Sequence, residues 1–194
     1  MVHVALPFAL VGALAGCGGS SSSKSSSSAS SSSSGALAAD AKSAATGDIP
    51  DNQNFLTFKG AGFSIKYPEG WSQKKSAGGI DFQDKNNLVR IQVRKGQSPT
   101  AASVTADLNK LKAANPTLKA QTPKQISLKA GPAIKVTYTT TSAPNPVTGK
   151  RVVLMVDRYE LAKKGRVAVI DLGTPTGVDN VDAYRMMSES FTWL

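Results

Sequence analysis

Hydrophobic and polar positions divide the 194-residue chain into three stretches of different character. Residues 4–14 are almost wholly apolar, and residues 18–35 are nearly all serine. From Phe55 onward, apolar residues recur with the periods of strands and helices, which indicates a packed domain. The pattern therefore predicts three segments, over residues 1–16, 17–54 and 55–194.

Alternation of apolar and polar side chains predicts several strands in the third segment. Phe63, Ile65 and Tyr67 fall on one face of a strand, because successive side chains of a strand point to opposite faces. The same period of two runs through residues 88–95. Short turn-forming segments separate the strands, so we expect hairpins and a largely antiparallel sheet. Further strands are predicted over residues 55–59, 80–82, 124–128, 133–140, 151–161 and 166–172.

Two helices are predicted from apolar residues three or four positions apart. Val104, Leu108 and Leu111 form one helical stripe, in a helix that opens at Pro99 or Thr100 and stops before the next proline. A second helix follows Asp179, whose carboxylate is expected to cap it. Its apolar face comprises Val181, Tyr184, Met187 and Phe191.

Two continuous apolar runs predict the centre of the sheet. Residues 152–156 and 167–170 do not alternate, and unbroken runs of this kind are typical of strands covered on both faces. A helix on each face of the sheet would supply that cover. The fold class is therefore predicted as α+β, with a largely antiparallel sheet and helices packed on both of its faces.

The apolar run near the start of the chain ends in Leu14, Ala15, Gly16 and Cys17, a sequence that resembles the lipobox of bacterial lipoproteins. The resemblance implies cleavage before Cys17 and attachment of a diacylglyceryl group to its thiol. The run is shorter than the roughly 20 residues that a membrane-spanning helix needs, and it suits a secretory signal. No Lys or Arg precedes it, so either the terminal amine alone supplies the charge or the true start lies upstream, and we favour the second.

The segment after Cys17 is predicted to be a tether. Serine-rich sequence buries too little apolar surface to offset the entropy of ordering, so residues 17–54 are expected to form a flexible spacer. Two acyl chains hold a protein stably at a membrane, whereas one chain does so only marginally. We therefore expect a lipid-anchored domain at the cell membrane that faces outside the cytoplasm. The anchor uses the single cysteine, so no intramolecular disulfide is expected.

A second resemblance involves the residues that open and close the domain. Residues 62–71 read Gly-Phe-Ser-Ile-Lys-Tyr-Pro-Glu-Gly-Trp, and this motif resembles the opening of the PsbP-like superfamily, which includes LpqN-type lipoproteins. Residues 182–185 and 190–193 are similar to that family's last helix and terminal strand. The resemblance implies an α-β-α sandwich and an accessory binding role without catalysis. The motif residues interpreted as structural, holding a turn against the sheet, are Tyr67, Pro68, Gly70 and Trp71.

The residue types present exclude several kinds of catalysis. The only histidine is His3, inside the predicted signal, so the mature chain has no Ser–His or Cys–His nucleophile system and no histidine-ligated metal site. No cofactor is expected. Acid–base chemistry would need carboxylates, and a turn, a cap or an ion pair explains each candidate pair more simply. These pairs are Asp81 with Asp84, Asp157 with Glu160, and Asp179 with Asp182.

Charge adds a candidate binding surface. The formal net charge is +10, and the basic residues are spread through the loops and one strand face. Spread charge is usually a solvated surface, and the functional alternative is attraction to anionic headgroups or anionic wall polymers. Arg90, Arg94 and Lys95 form the predicted anion-facing patch. No nucleic-acid partner is expected, because the aromatic residues lie on apolar faces rather than among the basic ones.

Two classes of function agree with these observations. The first, which we favour, is a membrane-anchored accessory or binding module of the cell envelope, whose partner is a protein or an anionic envelope polymer. A variant of it is a carrier or chaperone with an apolar cavity between sheet and helix. The second is a histidine-free envelope enzyme, a carbohydrate-directed hydrolase, which would need two carboxylates converging on a concave pocket.

Overall fold

The computed structural model of the protein describes residues 47–144 and 149–194. The predicted signal, the lipobox with Cys17 and the serine tract lie outside the described residues. The strands, in chain order, are β1 (Phe55–Gly60), β2 (Phe63–Pro68), β3 (Ser72–Ser76), β4 (Gly79–Asp84), β5 (Asn87–Lys95), β6 (Lys119–Ala120), β7 (Lys124–Leu128), β8 (Gly131–Thr141), β9 (Val153–Lys163), β10 (Arg166–Pro175) and β11 (Thr192–Trp193). The helices are α1 (Ala101–Ala114), between β5 and β6, and α2 (Val181–Ser190), between β10 and β11.

The strands form two sheets, and neighbouring strands run antiparallel in both, as predicted. The large sheet has the order β3-β4-β5-β10-β9-β8-β6, and β7 pairs with β8 as well. The small sheet has the order β1-β2-β11. The periodicity of the sequence predicted β1 and β2 as strands, but it did not separate them from the large sheet.

The main core lies between one face of the large sheet and a layer made by the small sheet and α2. Ile91 and Ile170 of the large sheet, Ile65 of the small sheet and Met187 of α2 are all fully buried in this one cluster. Complete burial of an aliphatic side chain of this size stabilises a fold by about 1.5–3 kcal/mol. The small sheet and α2 together therefore cover this face of the large sheet.

The opposite face of the large sheet is covered by α1. Val104 and Leu108 of this helix pack against Val136 of β8 and Leu154 of β9 in a second, smaller cluster. Leu111 does not belong to it and is 38% exposed, so the apolar stripe of α1 is shorter than predicted. With α1 on one face and α2 on the other, the predicted α+β fold with helices on both faces is confirmed.

The central strand is β10, which lies between β5 and β9. Its residues are buried from the second position to the ninth, which includes the apolar run 167–170. The run therefore predicted correctly a strand that is covered on both faces.

The other apolar run, over residues 152–156, is covered on one face only. Val153 and Met155 are 53% and 40% exposed, whereas the alternate side chains are buried against α1. The prediction of double cover was wrong here, because the main core does not reach this end of β9. Continuous burial in β9 falls instead on residues 158–161, which include an arginine and a glutamate.

The beginning of each helix is fixed by local hydrogen bonds. Thr100, one of the two predicted starting positions, is the N-cap of α1 and forms a capping box with Ser103. The Ser103 amide donates to Thr100 Oγ1 at 3.1 Å, and the Thr100 amide donates to Ser103 Oγ at 2.9 Å. This exchange satisfies two amide groups that the first turn of a helix would leave unpaired.

The N-cap of α2 is Asn180 rather than the predicted Asp179. Asp179 Oδ1 still accepts a hydrogen bond from the Val181 amide at 3.2 Å. Val181 itself is 66% exposed and does not belong to the apolar face of the helix. The Asn180 side chain is used elsewhere, since its Oδ1 accepts from the Ile49 amide at 2.8 Å and thereby holds the N-terminal segment of the domain.

Candidate functional site

Two residues of the predicted anion-facing patch, Arg90 and Arg94, are paired with carboxylates. Arg90 donates to both oxygens of Asp81, with Nε–Oδ1 at 3.0 Å and Nη2–Oδ2 at 2.7 Å. This hydrogen bonding raises the pKa of Arg90. Arg94 Nη2 donates to Oδ2 of Asp107, on α1, at 2.6 Å. The positive charge of both guanidinium groups is therefore balanced inside the domain.

The third residue of that patch, Lys95, lies apart from the two arginines. It is the last residue of β5, and its side chain leaves the opposite face of the strand from Arg94, because adjacent side chains of a strand alternate. Lys95 is exposed and is the register partner of Arg166 on β10. The structure does not bring the three residues onto one face, and their part in anion binding stays a prediction.

A buried ion pair links the two central strands on the same face as Arg90. Arg158 of β9 donates to Asp171 of β10 through Nε at 2.7 Å and through Nη2 at 2.8 Å, and both side chains are less than a tenth exposed. Burial lowers the pKa of Arg158, but the hydrogen bond with Asp171 and the charges around it outweigh burial and raise the pKa. At this position of β9 and β10, a buried ion pair therefore takes the place of apolar side chains.

Glu160 lies beside this pair and is 2% exposed. Its Oε1 is 3.7 Å from Arg158 Nη1 and has no hydrogen-bond partner among the described residues, and its Oε2 is 4.0 Å from Arg94 Nη2. The pKa of the Glu160 carboxyl is raised, mainly by burial and further by the nearby Asp107 and Asp171 carboxylates, although Arg158 and Arg94 act to lower it. Glu160 and Asp171 converge on one guanidinium, but at 2% and 4% exposure both are closed to a substrate.

A groove of about 350 Å³ lies between α1 and the segment that contains β6. Its lining includes no carboxylate, and it borders the interface between α1 and the large sheet, because Leu108 and Leu118 belong both to the lining and to the smaller apolar cluster. The lining residues are Thr105, Leu108, Asn109, Lys112, Leu118, Ala120, Gln121, Thr122 and Pro123. The groove therefore does not provide two converging carboxylates, and it is not an enclosed apolar cavity.

Basic side chains collect at one end of the strands, which we call the basic end. The register places the end of β5, the turn between β9 and β10 and the turn between β7 and β8 at this end. The turn between β1 and β2 joins them, because Gly62 lies against Arg166. The basic end comprises Lys59, Lys75, Lys95, Lys129, Lys163, Lys164 and Arg166. Apart from Arg166, all of them are exposed.

Acidic side chains collect at the opposite end of the strands, which we call the acidic end. It comprises Asp48, Asp51, Glu69, Asp84, Asp179 and Asp182, and the basic residues Lys85, Lys150 and Arg151 lie there as well. The described chain begins at this end, where Gly47 is held by hydrogen bonds from Asn87 Nδ2 at 2.6 Å and Asn180 Nδ2 at 3.2 Å. The two ends thus differ in the sign of their charge, and residue 47 marks the acidic one.

Arg166 lies at the centre of the basic end and is fixed by its neighbours. Its guanidinium lies over the Trp193 ring, 5.2 Å from the centroid, and its Nη2 donates to the Leu194 main-chain oxygen at 3.1 Å. A side chain at Gly62 would displace this guanidinium, and the φ of Gly62, +91°, lies in the left-handed region that favours glycine. The basic end therefore has a rigid centre surrounded by exposed lysine side chains.

The four residues of the sequence motif lie where β2 leads into β3. Tyr67 and Trp71 are both 8% exposed, and the Tyr67 ring stacks on Phe82 with centroids 4.2 Å apart. Pro68 ends β2, and Gly70 has a φ of +87°, which lies in the left-handed region that favours glycine. These residues line the main core and the adjoining turn at the acidic end.

Comparison with known proteins identifies the fold. No family model matches the chain, and no curated protein matches it in sequence. The solved structure of the cyanobacterial PsbP protein CyanoP from Synechocystis sp. PCC 6803 is similar, with a TM-score of 0.54 and 14% identity over 76% of this chain and 98% of CyanoP. The chain therefore has a PsbP-like fold.

Two further solved structures are more distant. LpqN, a protein involved in cell envelope biogenesis of Mycobacterium tuberculosis, gives a TM-score of 0.40 at 14% identity over 74% of this chain and 92% of LpqN. A protein of Bacteroides thetaiotaomicron VPI-5482 gives a TM-score of 0.42 at 13% identity over 73% of this chain and 48% of that protein's chain.

Within residues 47–144 and 149–194, neither helix has the length and apolar character needed to cross a membrane.

Proposed function

We propose that the protein is a lipid-anchored lipoprotein of the cell membrane that faces outside the cytoplasm. Its PsbP-like domain acts as a non-catalytic accessory or binding module of the cell envelope. The lipobox-like residues before Cys17 support the anchor, and the serine tract after it supports a tether that leaves the domain free to meet a partner. The PsbP-like fold is compatible with such an accessory module.

The observation that carries the binding role is the position of the basic end. It is exposed, and it lies one strand length away from residue 47, the first described residue, which connects to the segment that carries Cys17. Taking β9 with its 11 residues at ~3.3 Å each, this separation is about 36 Å. A domain held from residue 47 therefore presents its basic end to the surroundings.

Three further observations favour binding over catalysis. Glu160 and Asp171 are buried, the groove beside α1 has no carboxylate in its lining, and the sequence after the predicted signal has no histidine. Buried carboxylates that share one arginine stabilise a fold or strain it, but they cannot reach a substrate. The groove beside α1 is partly open rather than enclosed, which favours a binding surface over a carrier cavity at this place.

Replacement of the cysteine tests the anchor. Cys17→Ala is expected to move the full-length protein from the membrane fraction of its native host to the soluble fraction, and to abolish labelling by a clickable palmitate analogue. Ser20→Ala, three residues away in the same tract, is the matched control and is expected to remain membrane-bound and labelled. If Cys17→Ala stays with the membrane, the anchor proposal is wrong.

A further inference from the structure

We propose that the basic end is a docking surface for a linear anionic polymer of the envelope, one that carries phosphate groups along its length. Such a polymer engages several lysines at once, and each contact releases condensed counterions. This inference names the partner class of the binding module proposed above. It depends on that proposal only for the direction in which the domain faces.

The charge of the basic end is not balanced within the domain. Within residues 47–144 and 149–194, the ion pair found there joins Lys129 to Glu189 at the long distance of 4.0 Å, and the two side chains are 77% and 45% exposed. The arginines on the face of the large sheet that α1 covers differ in this respect. Arg90, Arg94 and Arg158 each lie within 3 Å of a carboxylate oxygen. The lysines at the basic end are therefore available to an external anion.

The spacing of these charges fits an extended polymer better than a small anion. They come from strand ends and turns distributed from β3 to β8, six neighbouring strands of the large sheet. Five gaps of ~4.8 Å span about 24 Å. No single point is within reach of all these side chains, so one phosphate could engage only a few of them. A chain of phosphates lying across the strand ends could engage most of them.

The position of residue 47 favours a polymer over the membrane surface. The chain enters at the acidic end, whose carboxylates would lie nearest an anionic bilayer if the chain is anchored upstream. The basic end lies about 36 Å farther along the strands, several times the Debye length of ~8 Å at physiological salt, so the charge of the headgroups acts on it only weakly while residue 47 faces the bilayer. The surface that the basic end then meets is the material outside the bilayer.

Two sets of charge reversals with the same net change test the proposal. The first set, at the basic end, is Lys95→Glu, Lys163→Glu and Lys164→Glu; the control set, elsewhere on the surface, is Lys85→Glu, Lys112→Glu and Lys119→Glu. All six lysines are exposed, and Lys85 matches Lys164 in having a positive φ, 52° against 50°. Each set lowers the net charge by six, two units for each of three substitutions.

Binding is measured with the unlipidated full chain, Cys17→Ala, so that the result does not depend on the anchor. The probes are fluorescent long-chain inorganic polyphosphate and vesicles of phosphatidylglycerol. We expect polyphosphate affinity to fall by at least about tenfold for the basic-end set and by less than about threefold for the control set. The slope of log affinity against log salt is expected to fall by about 2, since each lost contact contributes roughly 0.7 for a single-stranded polyanion.

Three outcomes would overturn the proposal: no polyphosphate binding below physiological salt, equal losses for the two sets, or tighter binding of the basic end to vesicles than to polyphosphate. Equal losses would mean that net charge alone drives association, and vesicle preference would mean a membrane-docking surface. A milder set with glutamine at residues 95, 163 and 164 serves if the reversals impair folding, as judged by thermal unfolding. A failure here leaves the Cys17 fractionation experiment unaffected, and the reverse also holds.

Discussion

Removal of the Arg158 side chain is expected to destabilise the domain more than neutralisation of its partner Asp171. Arg158→Met leaves two buried carboxylates, Asp171 and Glu160, without the cation that they share. Asp171→Asn leaves Arg158 with Glu160 at 3.7 Å and keeps an amide oxygen that can accept from the guanidinium. The two substitutions therefore differ in the number of buried charges that they leave without a partner of opposite charge.

The burial of these groups sets the size of the effects. Loss of one partner from a buried ion pair costs about 3–5 kcal/mol, because the remaining charge is desolvated and uncompensated. We expect Arg158→Met to fall in this range. Asp171→Asn weakens a charged hydrogen bond but leaves no buried carboxylate unpaired, so it is expected to lower the free energy of unfolding by about 1–2 kcal/mol. In the double variant Arg158→Met with Asp171→Leu, one buried carboxylate remains instead of two, and stability is expected to recover partly.

Urea unfolding at neutral pH measures these differences through the midpoint and the slope. Arg185→Met is the matched control, because the Arg185 side chain is 66% exposed and its partner Asp182 is 86% exposed. An exposed pair of this kind contributes little, so a change within about 0.5 kcal/mol is expected. Equal losses for Arg158→Met and Asp171→Asn would refute the reasoning, since they would show that Glu160 does not depend on Arg158.

Two further predictions concern single side chains of the large sheet. Burial raises the pKa of Glu160 above that of the unfolded chain, about 4.3, so the folded state binds its proton more tightly and stability falls as pH rises from there through the raised pKa. Glu160→Gln is expected to remove that part of the slope, and an unchanged pH profile in urea titrations would contradict the assignment. Gly79→Ala is expected to lower unfolding free energy by about 1–3 kcal/mol, because the new methyl group would collide with the Ile91 main-chain oxygen across β4 and β5. An unaltered thermal midpoint would show that the strands can separate without cost.

The sequence predicted the parts of the fold that are governed by periodicity. The alternation at Phe63, Ile65 and Tyr67 and the unbroken run 167–170 both correspond to strands with the expected burial. It failed to show β3, because Ser72–Ser76 is an exposed edge strand with no apolar residue to alternate. The run 152–156 led to a wrong prediction of cover on both faces for a related reason. The pattern shows which residues are apolar, but it does not show how far the covering layer extends over the strand.

The basic end is not visible in the sequence as a cluster, because its residues are far apart along the chain. A signal does exist once the antiparallel order is known. Strands β1, β3, β5, β7 and β9 all end on the same side, and each ends in or next to a lysine of the basic end. The predicted anion-facing patch was instead drawn from residues that are close together along β5. The sequence did not show that Arg90 and Arg94 pair with carboxylates, because only the fold brings Asp81 and Asp107 near them.

The placement of residue 47 and the basic end at opposite ends of the strands also has a mechanical consequence. A pull between residue 47 and the basic end would run parallel to the strands. The hydrogen bonds between neighbouring strands lie across that direction. They would be sheared together rather than opened one after another, so the sheet is oriented to resist a pull applied between residue 47 and the basic end.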